Sequence, residues 1–208
     1  MGNPNLVRDP ACKRRSVVLQ LSEIFYSLQG EGTFTGTPAL FVRLAGCNLS
    51  CDFCDTDYSL KFLASVPEVV EHVRREGQGC PMVILTGGEP FAQTQTPELI
   101  DALRDDKRRV HVESNGTIPV SLAGDVWLTV SPKERLHDTM AQRADEVKLI
   151  VNGRVPLEWI DRFPATTPIF LQPEGNKPAN VALSVEAAKA HPERLRLSLQ
   201  THKFIGVP

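Results

Sequence analysis

Short apolar runs of strand length recur along the chain, at 21–25, 39–44, 82–85, 109–112, 126–130, 146–151, 168–171 and 195–199. Most are too apolar for an exposed sheet face. Helical periodicity fills several of the gaps. It is clearest over 65–76, where Val66, Val69, Val70 and Val73 form one stripe, Ser65 stands as N-cap, Glu68 follows it and Gly77 closes the segment. A second helix is predicted from Thr96, with Pro97 in its first turn and Leu99, Ile100 and Leu103 turned inward. Two more are predicted over 157–163 and 181–190. Buried strands joined by helical crossovers pair in parallel, so the pattern predicts an α/β sheet with helices outside, doubly wound or barrel-like.

Two features favour an open or incomplete barrel. The 208 residues fall short of the roughly 250 of a complete eight-unit barrel, and 115–125 leaves little room for a crossover helix. Polar, often glycine-containing segments follow the predicted strands at 86–90, 113–116, 131–133, 172–173 and 200–202. Ligand sites of parallel α/β folds form at strand C-terminal ends, so these segments are expected to converge in one cleft. No internal repeat or long linker divides the chain. Residues 1–16 read as a loose charged leader and 17–208 as one catalytic domain.

Composition narrows the function class. Hydrophobic residues at 41% and charged residues at 23% describe a soluble globule and exclude disordered, collagen-like and coiled-coil chains. Lys+Arg of 23 against Asp+Glu of 25 gives a formal charge of -2. No basic field is available for a nucleic acid backbone, and a small-molecule substrate is expected. No apolar run approaches a membrane helix, and the basic residues at 13–15 precede only a short apolar stretch. The expectation is a cytoplasmic protein without a membrane partner.

The cysteines are Cys12, Cys47, Cys51, Cys54 and Cys80, an odd number that suits a disulfide framework poorly. Cys47, Cys51 and Cys54 fall within eight positions, directly after the strand ending at Leu44, and this spacing suits a single metal centre. Zinc would require a distant fourth ligand such as His72 or His111. Three thiolates on a cubane cluster would instead leave one iron open to a ligand. Cys12 and Cys80 read as non-ligands, Cys80 as a small apolar thiol before a buried strand.

The Cys-x3-Cys-x2-Cys spacing, with Phe53 before the last cysteine and the Thr-Gly-Gly-Glu-Pro segment at 86–90 downstream, resembles the radical S-adenosylmethionine superfamily. Further segments narrow the resemblance: Ile-Phe-Tyr-Ser-Leu-Gln-Gly-Glu-Gly at 24–32, then 35–39, 41–47, Cys-Asp-Thr at 54–56, Ser-Pro-Lys at 131–133, Gln-Pro at 172–173 and Thr-His-Lys at 201–203. Together they are similar to the 7-carboxy-7-deazaguanine synthase family, from about Leu21 to the terminus. The activating enzyme of anaerobic ribonucleotide reductase shares the size and the cysteine loop, but is not expected to carry the early Leu-Gln-Gly-Glu-Gly segment.

The resemblance implies an incomplete, shortened (β/α) barrel with a mostly parallel sheet. It implies a radical ring contraction of 6-carboxy-5,6,7,8-tetrahydropterin to 7-carboxy-7-deazaguanine with loss of ammonia, towards the deazapurine nucleosides of transfer RNA. Hydrogen is taken from C6 of the pterin and later returned, so that S-adenosylmethionine is regenerated. Carried over by position, Cys47, Cys51 and Cys54 hold a 4Fe-4S cluster and Thr56 a Mg2+ ion. Phe53, Cys54, Asp55, Gly88, Ser131, Pro132, Lys133, Gln172, Pro173, Glu174 and Gly175 line S-adenosylmethionine. Leu28, Gln29, Gly30, Arg43, Thr86, His202 and the terminal carboxylate of Pro208 contact the substrate. A homodimer and a reducing electron donor such as flavodoxin are implied as well.

Arg43 has a rationale of its own, because a planar cation in an apolar strand near Cys47 suits bidentate pairing with a substrate carboxylate; the alternative is a structural ion pair. Glu31 and Glu113 are candidate helpers that could bind pterin amino groups or a ribose. The competing readings are a glycyl-radical activase acting on a protein partner and a sensor module holding a cluster or zinc without reaction.

Overall fold

The computed structural model describes residues 18–208, so the leader expected over 1–16 and Cys12 lie outside the described residues. The predicted strands form one sheet: β1 (Leu19–Leu28), β2 (Pro38–Leu44), β4 (Met82–Gly87), β5 (Arg109–Ser114), β6 (Trp127–Val130), β7 (Glu146–Val151), β8 (Ile169–Pro173) and β9 (Leu195–Leu197), with the short β3 (Phe62–Ala64) added at one edge. The order is β3-β1-β2-β4-β5-β6-β7-β8-β9, and the edge strands β3 and β9 are not paired with each other. The sheet is an incomplete barrel. From β2 through β4 to β9 the pairings are parallel, whereas β1 runs antiparallel to both β2 and β3.

Side-chain alternation assigns the two faces of the sheet. On the convex side Leu40, Val42, Leu44, Val83, Leu85, Val110, Val112, Leu128, Val130, Val147, Leu149, Val151, Ile169 and Leu171 join the main core. Helix α1 (Val66–Glu76) presses its valine stripe onto it. Val69 and Val73 are wholly buried, each burial being worth about 1.5–3 kcal/mol. The Glu68 carboxylate accepts from both the N–H and the hydroxyl of Ser65, which closes the first turn as the sequence predicts. Helix α2 (Thr96–Asp105) follows its prediction, and α4 (Pro178–Ala190) begins a few residues early because Pro178 opens it.

The concave side behaves differently. Low on the sheet, Ala39, Phe41, Met82 and Ile84 form a smaller cluster with Cys80, Phe25 and Phe34. Higher up, the same face carries Arg43, Thr86, Glu113, Lys148 and Gln172, all at the edge of one cavity. On β2 and β4 the inner side therefore turns from apolar to polar as the strand approaches its C-terminal end.

Three short elements escape the sequence pattern: β3, α3 (Asp138–Arg143) and α5 (Thr201–Ile205). The helix expected over 157–163 is instead a 3-10 turn, Leu157–Arg162, confined between Pro156 and Pro164. The first strand runs longer than predicted, and the last ends at Leu197, with Ser198 N–H making a final bond to Leu171 O before the chain turns into α5.

Candidate functional site

A cavity of about 600 Å³ opens at the C-terminal ends of the strands. Every polar segment singled out in the sequence contributes to it, through Thr86 to Gly88, Glu113 to Asn115, Ser131 with Lys133, Gln172, and Gln200 with His202.

The cysteine loop leaves β2 through Gly46, whose φ of +81 suits glycine. Gly46 N–H bonds Tyr58 O at 2.9 Å, which pinches the base of the loop, and Cys54 N–H bonds Cys51 O at 3.0 Å, which turns it. Cys47, Cys51 and Cys54 all line the cavity, and none is in a disulfide. Burial pushes the Cys47 and Cys51 thiols up, so a bound cation is the natural counter-charge for their thiolates.

The two residues considered as remote zinc ligands lie elsewhere. His72, on α1, packs near Phe62 of β3, and His111 sits between Phe34 and Trp127, with ring centroids 4.4 and 6.0 Å away. Among the described residues no three His, Cys, Asp or Glu side chains gather around a position for a lone metal ion.

The glycine-rich turn packs directly on this loop. A Cβ on Gly88 would fall 2.2 Å from Gly46 O and 2.6 Å from Cys47 Cβ, so only glycine lets the two backbones meet. Glu89, wholly buried, anchors the turn by accepting from Phe91 N–H at 3.1 Å, Asn115 N–H at 2.7 Å and Ser114 Oγ at 3.0 Å. Burial pushes the Glu89 carboxyl up against those three donors.

The opposite wall comes from the end of β1 and the C-terminus. Thr201 N–H bonds Gly30 O at 2.9 Å, and a Cβ on Gly30 would lie 2.1 Å from His202 Nδ1. Ser27 Oγ donates to the Pro208 oxygen at 2.8 Å, so the last residue reaches the cavity. Arg43 pairs across the strands with Glu23 at 2.6 Å and lies over the Phe25 ring, while Thr86 is its register partner on β4. The structural ion pair considered for Arg43 is therefore present, on a side chain that also faces the cavity.

Of the residues carried over from the resemblance, all but two line this cavity. The exceptions are Pro132 and Pro173, both buried. Each stands between two lining residues, and on β8 the backbone alternation turns Pro173 to the other face.

Sequence reasoning passed over Lys148. Its Nζ lies 2.6 Å from Glu31 and 3.2 Å from Glu113. Glu31 also accepts from Gln172 and Gln200, and Glu113 from Gln29. The signal was the alternation within 146–151, where Glu146 and Lys148 interrupt an otherwise apolar central strand on one face. Lys133, on the neighbouring loop, is drawn down to about 8 by burial and by the Lys148 charge.

Residues 42–125 match the radical SAM superfamily, the span holding the cysteine loop and the glycine-rich turn. A 7-carboxy-7-deazaguanine synthase of Bacteroides thetaiotaomicron is 43% identical over 90% of this chain and 98% of its own. That of Escherichia coli is 32% identical over 90% and 98%. The chain belongs to the 7-carboxy-7-deazaguanine synthase family. The crystal structure of QueE from Escherichia coli agrees in fold, with a TM-score of 0.76 at 31% identity over 89% of this chain and 95% of that one. Family membership makes the protein a radical S-adenosylmethionine enzyme and sets aside the sensor and activase readings.

Proposed function

We propose that this chain converts 6-carboxy-5,6,7,8-tetrahydropterin to 7-carboxy-7-deazaguanine with release of ammonia. The observation that carries the reading is the meeting, in one cavity, of the three-cysteine loop, the glycine-rich turn and the 28–30 segment, in a chain of this family. A 4Fe-4S cluster and S-adenosylmethionine, when bound, supply a carbon radical strong enough to take hydrogen from the substrate.

The chain's own residues bind, orient and shield. Cys47, Cys51 and Cys54 would hold the cluster, and three ligands leave one iron free for the methionine group. The close approach at Gly88 leaves backbone rather than side chain beside that position. Gln172 supports a polar ligand elsewhere in the cavity. Its Nε2 donates to Glu31, which fixes the amide orientation, and its buried Oε1 has no partner among the described residues, so it awaits an N–H or O–H donor.

Arg43 would take the substrate carboxylate, with Thr86 beside it. Phe25 and Phe41, stacked at 4.9 Å, form an apolar floor under that end. Thr56 would supply one oxygen to Mg2+, an ion that keeps several waters and needs few protein ligands. His202 and the Pro208 carboxylate would close the substrate side. We further read the active form as a cytoplasmic homodimer that draws its electron from a donor such as flavodoxin, and 17–208 as its single catalytic domain.

The test is an anaerobic assay of the iron- and sulfide-reconstituted protein with S-adenosylmethionine, a strong reductant, magnesium and the tetrahydropterin, read by mass spectrometry. Formation of 7-carboxy-7-deazaguanine, lost in Cys51→Ala, is expected. 5′-Deoxyadenosine without the deazaguanine would overturn the substrate.

A further inference from the structure

Glu31, Glu113 and Lys148 reach the cavity from three elements: the turn after β1, strand β5 and strand β7. Their side chains are only 12%, 21% and 12% exposed. Burying two carboxylates on one ammonium is costly unless the remaining lone pairs find donors. A carboxylate offers about four acceptor positions. Glu31 fills three of them, with Lys148, Gln172 and Gln200. Glu113 fills two, with Lys148 and Gln29. The cluster thus holds spare acceptors beside a cavity, with one more carboxylate than it has cations.

We propose that Lys148 is a positioning residue that clamps Glu31 and Glu113 as paired acceptors for the N–H edge of the pterin ring. The inference rests on the pterin reading given above and deepens it. The 2-amino and N3–H groups of a pterin form two adjacent donors, which carboxylate oxygens accept through charge-assisted hydrogen bonds. The pterin carboxylate, which accepts rather than donates, would be matched separately by Arg43.

The electrostatics agree with the geometry. Burial alone would push the Glu31 carboxyl up, yet the Lys148 ammonium, with help from Gln200 and His202, holds it below the ordinary range. Lys148 is likewise raised by the two glutamates in spite of its burial. The charged groups around Glu31 are Lys148 on β7, Glu113 on β5, which shares that ammonium, Lys133 on the loop after β6 and His202 on α5. Without Lys148, burial would dominate and Glu31 would protonate at higher pH.

The test measures binding of 6-carboxypterin, which lacks the C6 hydrogen and so cannot react. Wild type, Lys148→Met and Lys148→Arg, each checked for melting temperature and bound iron, are compared by equilibrium dialysis across about pH 5 to 8. Lys148→Met is expected to bind at least about tenfold more weakly. Its acid limb should lie about one pH unit higher, and Lys148→Arg should recover most of the affinity. Unchanged affinity and acid limb in Lys148→Met would overturn the role of Lys148 while leaving the pterin reading intact. Absence of binding to the wild type would overturn both.

Should Lys148→Met fail to fold, Lys148→Gln, Glu31→Gln and their double variant form a cycle. Coupled losses support the clamp, and additive losses overturn it.

Discussion

Glu23 Oε1 stands 2.6 Å from Arg43 Nε, across the antiparallel register of β1 and β2. Glu23 therefore takes one edge of the guanidinium and leaves the terminal nitrogens to the cavity. A substrate carboxylate can then be gripped without breaking the existing pair. Arg43→Lys, which loses the planar fork, should raise KM for the tetrahydropterin about tenfold, and Glu23→Gln should change it much less. Steady-state kinetics of both variants check this, and a larger effect of Glu23→Gln would count against it.

Gly88→Ala tests the contact between the glycine-rich turn and the cysteine loop. The added methyl meets Gly46 backbone and Cys47 Cβ at 2.2 and 2.6 Å, neither of which is a flexible side-chain end. The loop must shift, so bound iron after reconstitution should fall several-fold and stability by about 1–3 kcal/mol. Iron analysis and urea unfolding report the two effects separately.

His111 gives a stability dependence on pH that is independent of the reaction. Burial, aided by Arg109, lowers its folded value from 6.5 to about 4. The neutral form is thus favoured in the fold, and its contribution is fully present above the unfolded value. It is lost as pH falls from 6.5 towards 4, by roughly 3 kcal/mol at most. His111→Phe preserves ring packing on Phe34 and Trp127 and should flatten the acid side of a urea midpoint profile measured over that window.

Pro208 predicts a directional effect of affinity tags. Its oxygen accepts from Ser27 Oγ at the cavity wall, so residues added after Pro208 would crowd the cavity and remove the negative charge there. A C-terminal tag should raise KM for the tetrahydropterin several-fold, while an N-terminal tag should leave it unchanged. Equal kinetics for the two tagged forms would contradict this.

The parts of the site that were legible in the sequence were those written in a few consecutive residues. The cysteine loop and the Thr-Gly-Gly-Glu-Pro turn each carry their chemistry within a short window, and their placement after apolar strands follows from parallel α/β geometry. Lys148, Glu31 and Glu113 were illegible as a group, because their meeting depends on sheet register and a turn 117 residues away in sequence from Lys148. Lys148 itself was hidden by the four apolar residues of β7 around it, since only alternate positions on that strand face the cavity. The short α3 and α5 lack enough turns to show a period. The 3-10 turn at Leu157–Arg162 imitates a helix in composition but has prolines at both flanks.

The bond from Thr201 N–H to Gly30 O, together with that from Ser27 Oγ to Pro208 O, joins the end of the first strand to residues as many as 181 positions later. Contacts of such sequence separation must close a long loop before they are rewarded, so this wall of the cavity is expected to form late in folding. The cysteine loop, pinched by bonds between near neighbours in sequence, does not wait for it.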